Sequence, residues 1–153
     1  MPEQIMAMGI FNPVKKGDLS MGDEIKIRHT CLRVRDLEKS LDFYTSLLGM
    51  ELMRRRESPE RGETVAYVGY GEESKNHALE LVQEHEPPIQ YAHGNTYGHI
   101  ALLVPDVGVM ADKLKNAGVE FVLDPHYVKA GNPNKIAFFR DPDGYEVELT
   151  ERK

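Results

Sequence analysis

His29 and Glu80 in the first half of this chain are answered by His99 and Glu148 in the second, and each glutamate follows its histidine at nearly the same distance. Imidazole nitrogen and carboxylate oxygen are both good donors to borderline divalent cations. Two of each around one point would suit Zn²⁺, Ni²⁺, Co²⁺ or Mn²⁺ and leave positions open for water or substrate oxygens. The mixed hard and borderline set argues against an iron–sulfur or Cu(I) site. A cation beside a carboxylate that can let go is a place to move a proton next to a carbonyl. Taken singly, a strand histidine reads more simply as a hydrogen-bonded residue and a strand glutamate as a solvated one. Their recurrence in register is what makes them a ligand set.

That register comes from an internal repeat. His29-Thr-Cys-Leu-Arg-Val-Arg-Asp36 aligns with His99-Ile-Ala-Leu-Leu-Val-Pro-Asp106. A helical spacing follows in both copies: Leu37, Leu41, Tyr44 and Leu48 before Gly49, then Val107, Met110, Leu114 and Ala117 before Gly118. Met50-Glu51-Leu52 answers Val119-Glu120-Phe121, Ala66-Tyr67-Val68 answers Ala137-Phe138-Phe139, and Leu79-Glu80-Leu81 answers Val147-Glu148-Leu149. Strands are predicted over 64–68 and 78–82 around the turn-rich 69–76 segment, and over 136–140 and 145–150 around Asp141-Pro142-Asp143-Gly144. The fold class is therefore α+β, with two tandem βαβββ modules, about 25–86 and 96–153, forming curled mixed sheets within a single domain over 25–153. Residues 1–24 lack periodicity and read as a flexible tail, with Met21 a possible alternative start.

Side chains alternate faces along a strand. Ile27, His29, Cys31 and Arg33 share one face, and Leu32 and Val34 the other; His99 shares a face with Ala101 and Leu103. Glu80 lies with Ala78 and Val82, while Leu79, Leu81, Val147 and Leu149 turn toward the helices. Each module thus offers one imidazole and one carboxylate on the concave side of its sheet. Glu146 shares the face of Glu148, but the Val-Glu-Leu match favours Glu148 as the ligand. His77, His85, His93 and His126 have no repeat partner and read as surface residues. Cys31 reads as a small buried residue, and Arg54-Arg55-Arg56 as a solvated strand end or turn.

Composition bounds the rest. The chain has 153 residues, 41% apolar and 29% charged, which suits a soluble globular protein with one shared core. A formal charge of −6 without a basic cluster argues against nucleic-acid binding, and no apolar run is long enough to span a bilayer. The single cysteine excludes an intramolecular disulfide and fits a cytoplasmic location.

The run from His29 to Met50, together with Tyr97–Leu102 and Ala137–Leu149, resembles the vicinal-oxygen-chelate superfamily (the glyoxalase/bleomycin-resistance/dioxygenase fold), and most of all its bacterial glyoxalase I (lactoylglutathione lyase) branch. The resemblance covers about residues 27–151. It implies a homodimer with interface active sites, His29 and Glu80 coming from one subunit and His99 and Glu148 from the other. It implies one divalent metal per site, nickel or zinc ahead of cobalt or manganese. The implied reaction isomerises the hemithioacetal of methylglyoxal and glutathione to S-lactoylglutathione, with Glu148 as the catalytic base. Arg33 matches an arginine that contacts glutathione. Glu84 stands where the family commonly has an asparagine for the glutathione tail, so Arg33 or Lys129 is expected to compensate its charge. The same fold also carries metal-dependent epimerases of the methylmalonyl-CoA type, which usually have Gln at the place of Glu80. It carries extradiol dioxygenases with a two-His-one-carboxylate set, and ligand-binding resistance proteins that need no metal ligands. The four-residue set favours the lyase over each.

Overall fold

A computed structural model describes residues 25–153; the tail predicted over 1–24 lies outside the described residues. Each half contributes one four-stranded mixed sheet. The first is built from β1 (His29–Arg33), β2 (Glu51–Ser58), β3 (Glu63–Gly69) and β4 (Ala78–Glu84), in the spatial order β1-β4-β3-β2. The second repeats it with β5 (Ile100–Leu103), β6 (Phe121–Tyr127), β7 (Lys135–Arg140) and β8 (Glu146–Thr150), in the order β5-β8-β7-β6. In each sheet the outer β1 or β5 runs parallel to its neighbour and the other pairings are antiparallel. A parallel neighbour needs a crossover. The helix between the first two strands of each half lies in that connection.

The repeated Asp is explained by those helices. Asp36 caps α1 (Leu37–Asp42) by accepting from Lys39 N at 3.0 Å, and Asp106 caps α2 (Val107–Asn116) by accepting from Val109 N at 3.0 Å. Gly49 and Gly118, with φ of +73° and +83°, take the left-handed conformation that ends the helical segments. The first segment departs from a regular helix: after Asp42 it widens into a π-type turn over Phe43–Leu47. Leu37, Leu41, Tyr44 and Leu48 are nevertheless all buried, as their spacing predicts.

Leu32, Leu79 and Leu81 of the first half and Ala137, Phe139, Val147 and Leu149 of the second join the helices in a single apolar cluster. The halves therefore share one core. A polar clasp reinforces it. The Asp141–Gly144 turn docks along the first helical segment: Tyr44 of the π-type turn donates to Asp141 at 2.8 Å, Ser40 of α1 to Asp143 at 3.2 Å, and the Arg35 amide to Asp143 at 3.0 Å. Asp141 also accepts from the backbone amides of Asp143 and Tyr145, and burial pushes its carboxyl up from the usual range. Asp141→Ala strands these three donors, one of them a buried phenol. It should cost about 3 kcal/mol and lower the melting temperature by about 10 °C in a thermal melt. Tyr44→Phe, which removes one bond, should cost about 1 kcal/mol.

Candidate metal centre

The register delivers the four sequence-derived ligands to corresponding places. β1 lies beside β4 with His29 opposite Ala78 and Cys31 opposite Glu80. β5 lies beside β8 with Ala101 opposite Glu148. His99 stands one residue before the paired stretch of β5, although alternation with Ala101 and Leu103 predicts it inside the strand. Both pairs occupy the sheet face turned away from the helices, as alternation predicts, since Leu79, Leu81, Val147 and Leu149 enter the shared core. His29 Nε2 lies 3.4 Å from Glu80 Oε2, and His99 Nε2 lies 2.9 Å from Glu148 Oε2. Two donors at about 2.1 Å from one cation, set near a right or tetrahedral angle, are themselves about 3.0–3.4 Å apart. The spacing of both pairs therefore fits a shared ion. The imidazoles remain open, with side-chain exposures of 36% and 42%, while the carboxylates are drawn in at 14% and 17%.

What a single chain does not do is bring the pairs together. Among the described residues no three potential ligands come close enough to hold an ion. The expectation that four ligands converge is thus met only two by two, because the halves pack through their helices and leave the ligand faces apart.

The surroundings of the pairs differ. Tyr67, opposite Glu80 on β3, donates its hydroxyl to Glu80 Oε1 and presents its ring edge-on to His29 at 5.6 Å. Burial and the hydrogen bond to Glu80 raise its pKa, so it stays a donor. Arg54 lies over the Tyr67 ring at 3.5 Å and is held by both oxygens of Glu73, at 3.0 and 2.9 Å. Arg54 is thus built into the site rather than part of a merely solvated run. Phe138 takes the place of Tyr67 in the second half, edge-on to His99 at 5.2 Å. The repeat puts Tyr67 and Phe138 at corresponding positions, but no local pattern marks either as a neighbour of the histidines.

Cys31 is exposed on the ligand face, not buried as its size suggested. Partial desolvation, then the charge of Glu80 and a bond to it, push its thiol up to about 11, so it is protonated at neutral pH and a poor nucleophile. Arg33 pairs directly with Glu84 beside a cleft that also includes Arg61, Glu63 and His85. Lys129 lies on the exposed turn after β6, near Gly131 and Pro133, and among the described residues Glu84 is paired with Arg33. Glu146 faces Arg140 at 3.6 Å. His77 bonds across to Thr30 of β1, and His126 bonds locally to the Asp124 carbonyl. His93 is different: half-buried, it stacks on Tyr145 at 4.2 Å and lines, with His99, a cavity of about 690 Å³.

Residues 26–149 match the Glyoxalase/Bleomycin resistance protein/Dioxygenase superfamily. The chain belongs to that superfamily. It is 44% identical over 128 residues to the probable lactoylglutathione lyase of Vibrio cholerae, covering 84% of this chain and 91% of that one. It is 43% identical over 129 residues to the lactoylglutathione lyase of Neisseria meningitidis, covering 84% and 92%. Among solved structures, glyoxalase I from Zea mays superposes with a TM-score of 0.77 at 37% identity; the match takes in 83% of this chain but 44% of the maize chain, which is more than twice the matched length. The trypanothione-dependent glyoxalase I of Leishmania major superposes at 0.73 with 35% identity, covering 84% and 87%. The superfamily and its glyoxalase I members imply a divalent metal, and the donors present here fit one. No helix among the described residues is long and apolar enough to cross a membrane.

Proposed function

We propose that this protein is a metal-dependent lyase of the glyoxalase I type, isomerising the hemithioacetal of methylglyoxal and glutathione to S-lactoylglutathione. The observation that carries this reading is the paired His–Glu arrangement. Both pairs are complete, equally placed in the two sheets and spaced for a common ion, in a chain so similar to lactoylglutathione lyases. His29, Glu80, His99 and Glu148 would hold the ion, nickel or zinc ahead of cobalt or manganese. Bound there, it would supply the positive charge against which negative charge develops on the substrate oxygens. Glu148 is the base: its carboxylate takes the proton from one substrate carbon and returns it to the neighbouring one. His99 Nε2, 2.9 Å from the near carboxylate oxygen, would bind the same ion beside it.

The site would be completed across a homodimer, residues 25–153 of each subunit acting as one domain of two modules. Two features support this. The ligand pairs stand apart within one chain. The ligand face of the second sheet is also bare, with Leu103 65% exposed beside Ala101 and His99. The Arg33–Glu84 pair presents both signs of charge. That suits a peptide thiol carrying an ammonium group as well as carboxylates, and it softens the objection that Glu84 would repel glutathione. A reducing cytoplasm, where such a thiol is abundant, agrees with the lone free cysteine.

The test mixes purified protein with methylglyoxal and glutathione and follows thioester formation by ultraviolet absorbance. Activity should disappear on chelation and return with Ni²⁺ or Zn²⁺. Tight metal binding without thioester formation would move the assignment to an epimerase on the same fold. Elemental analysis of the protein as purified identifies the metal.

A further inference from the structure

The two halves repeat the ligands but not what stands behind them. At corresponding positions of the bulged second strands, Arg54 pairs with Tyr67 in the first sheet and Leu123 pairs with Phe138 in the second. Both aromatic rings meet their histidine edge-on, at 82° and 84°, so their placement is the same and the phenol oxygen is the difference. That oxygen donates to Glu80 Oε1, whereas Oε2 is the atom facing His29 Nε2. One carboxylate oxygen is thus held by the protein while the other is free to bind an ion. The phenol is itself fixed. The Arg54 guanidinium covers its ring at 3.5 Å, and Glu73 clamps that guanidinium and also pairs with Arg28 at 3.3 Å. A cation over the ring withdraws electron density and makes the hydroxyl a stronger donor. Nothing equivalent reaches Glu148: among the described residues, His99 is the one side chain within bonding distance of its carboxylate, and Phe138 and Leu123 bring neither hydroxyl nor charge.

We propose that Tyr67, braced by Arg54, is a positioning residue that locks Glu80 as the permanent metal ligand, and that Phe138 at the matching place leaves Glu148 free to release the metal and act as base. The inference rests on the metal-site reading above and adds to it a division of labour between two like glutamates. A hydrogen bond to the outer oxygen of a ligating carboxylate fixes its rotamer, so losing the bond weakens the ion's hold without removing a ligand. The same bond on a base would hold it in place when it must move.

The experiment uses the full-length protein, stripped of metal and titrated with Co²⁺, whose visible absorption reports ligand geometry. Tyr67→Phe should bind Co²⁺ about tenfold more weakly and shift the absorption bands, because outer-sphere partners typically contribute tenfold or more to affinity. Phe138→Tyr, which gives Glu148 the hydroxyl, should bind Co²⁺ at least as tightly as the parent. With Ni²⁺ at saturation its kcat should fall about tenfold or more while KM stays put. Parent-like Co²⁺ affinity and spectrum in Tyr67→Phe, or full kcat in Phe138→Tyr, would overturn the assignment while leaving the metal site intact. An unmodified protein that binds no Co²⁺ would instead remove the metal reading itself, and this one with it.

Discussion

Glu148→Gln should lower kcat by about a thousandfold, within the range expected when a positioned general base is removed, with metal affinity and KM changed far less. The substitution keeps the shape of the side chain and a carbonyl oxygen that can still coordinate beside His99, 2.9 Å away. It removes only the capacity to take a proton. The companion change at the other half, Glu80→Gln, keeps a coordinating oxygen on a ligand that transfers no proton, so about a tenfold loss is expected, mainly through the bound metal. The amide has a single oxygen, so when it coordinates the ion its nitrogen faces the Tyr67 hydroxyl and that bond is given up. Steady-state kinetics of both variants, each with its metal content measured, separates the roles. A mild Glu148→Gln and a crippled Glu80→Gln would exchange the assignments of the two halves.

The repeat made most of this legible in advance. Aligning Leu79-Glu80-Leu81 with Val147-Glu148-Leu149 set the strand faces and singled out the candidate ligands, because a period of two leaves no freedom once the leucines are assigned to the core. The paired Asp36 and Asp106 marked the helix starts before their capping bonds were seen. What escaped was what depends on contacts between distant segments. The Asp141–Gly144 sequence reads as a turn, and it is one, but no local pattern reveals that it carries the buried partner of Tyr44. The Arg54 run looks like solvated charge because strand alternation was not continued through the bulge that turns Arg54 onto the Tyr67 side. Cys31 was misjudged through its size. On the edge strand β1 its face is exposed at His29, Cys31 and Arg33, and residue type alone does not reveal this. His93 had no repeat counterpart and so no signal, yet it stacks beside the cavity that His99 lines.

Two individually dead variants should regain activity when mixed. His29→Ala/Glu80→Ala destroys the first half-site and His99→Ala/Glu148→Ala the second, and neither homodimer can assemble four ligands if each site takes one pair from each subunit. After dissociation and reassembly at equal amounts, about half of the dimers should contain one subunit of each kind, and two-fold symmetry then gives each of them one intact site and one empty of ligands. Recovery should reach about a quarter of the unmodified activity per subunit. The physical basis is the separation of the pairs: within one chain each His meets its own Glu, and no third ligand approaches among the described residues. The helices and the shared core occupy the faces where the two sheets of a chain meet, so the ligand faces must look elsewhere for their complement. The exposed Leu103, on the His99 face, offers apolar surface for that contact. An assay of the mixed sample against each double variant reassembled alone is decisive. No recovery, in a sample whose mixed dimers are confirmed by native mass spectrometry, would mean that each chain completes its own site by a rearrangement of its two halves.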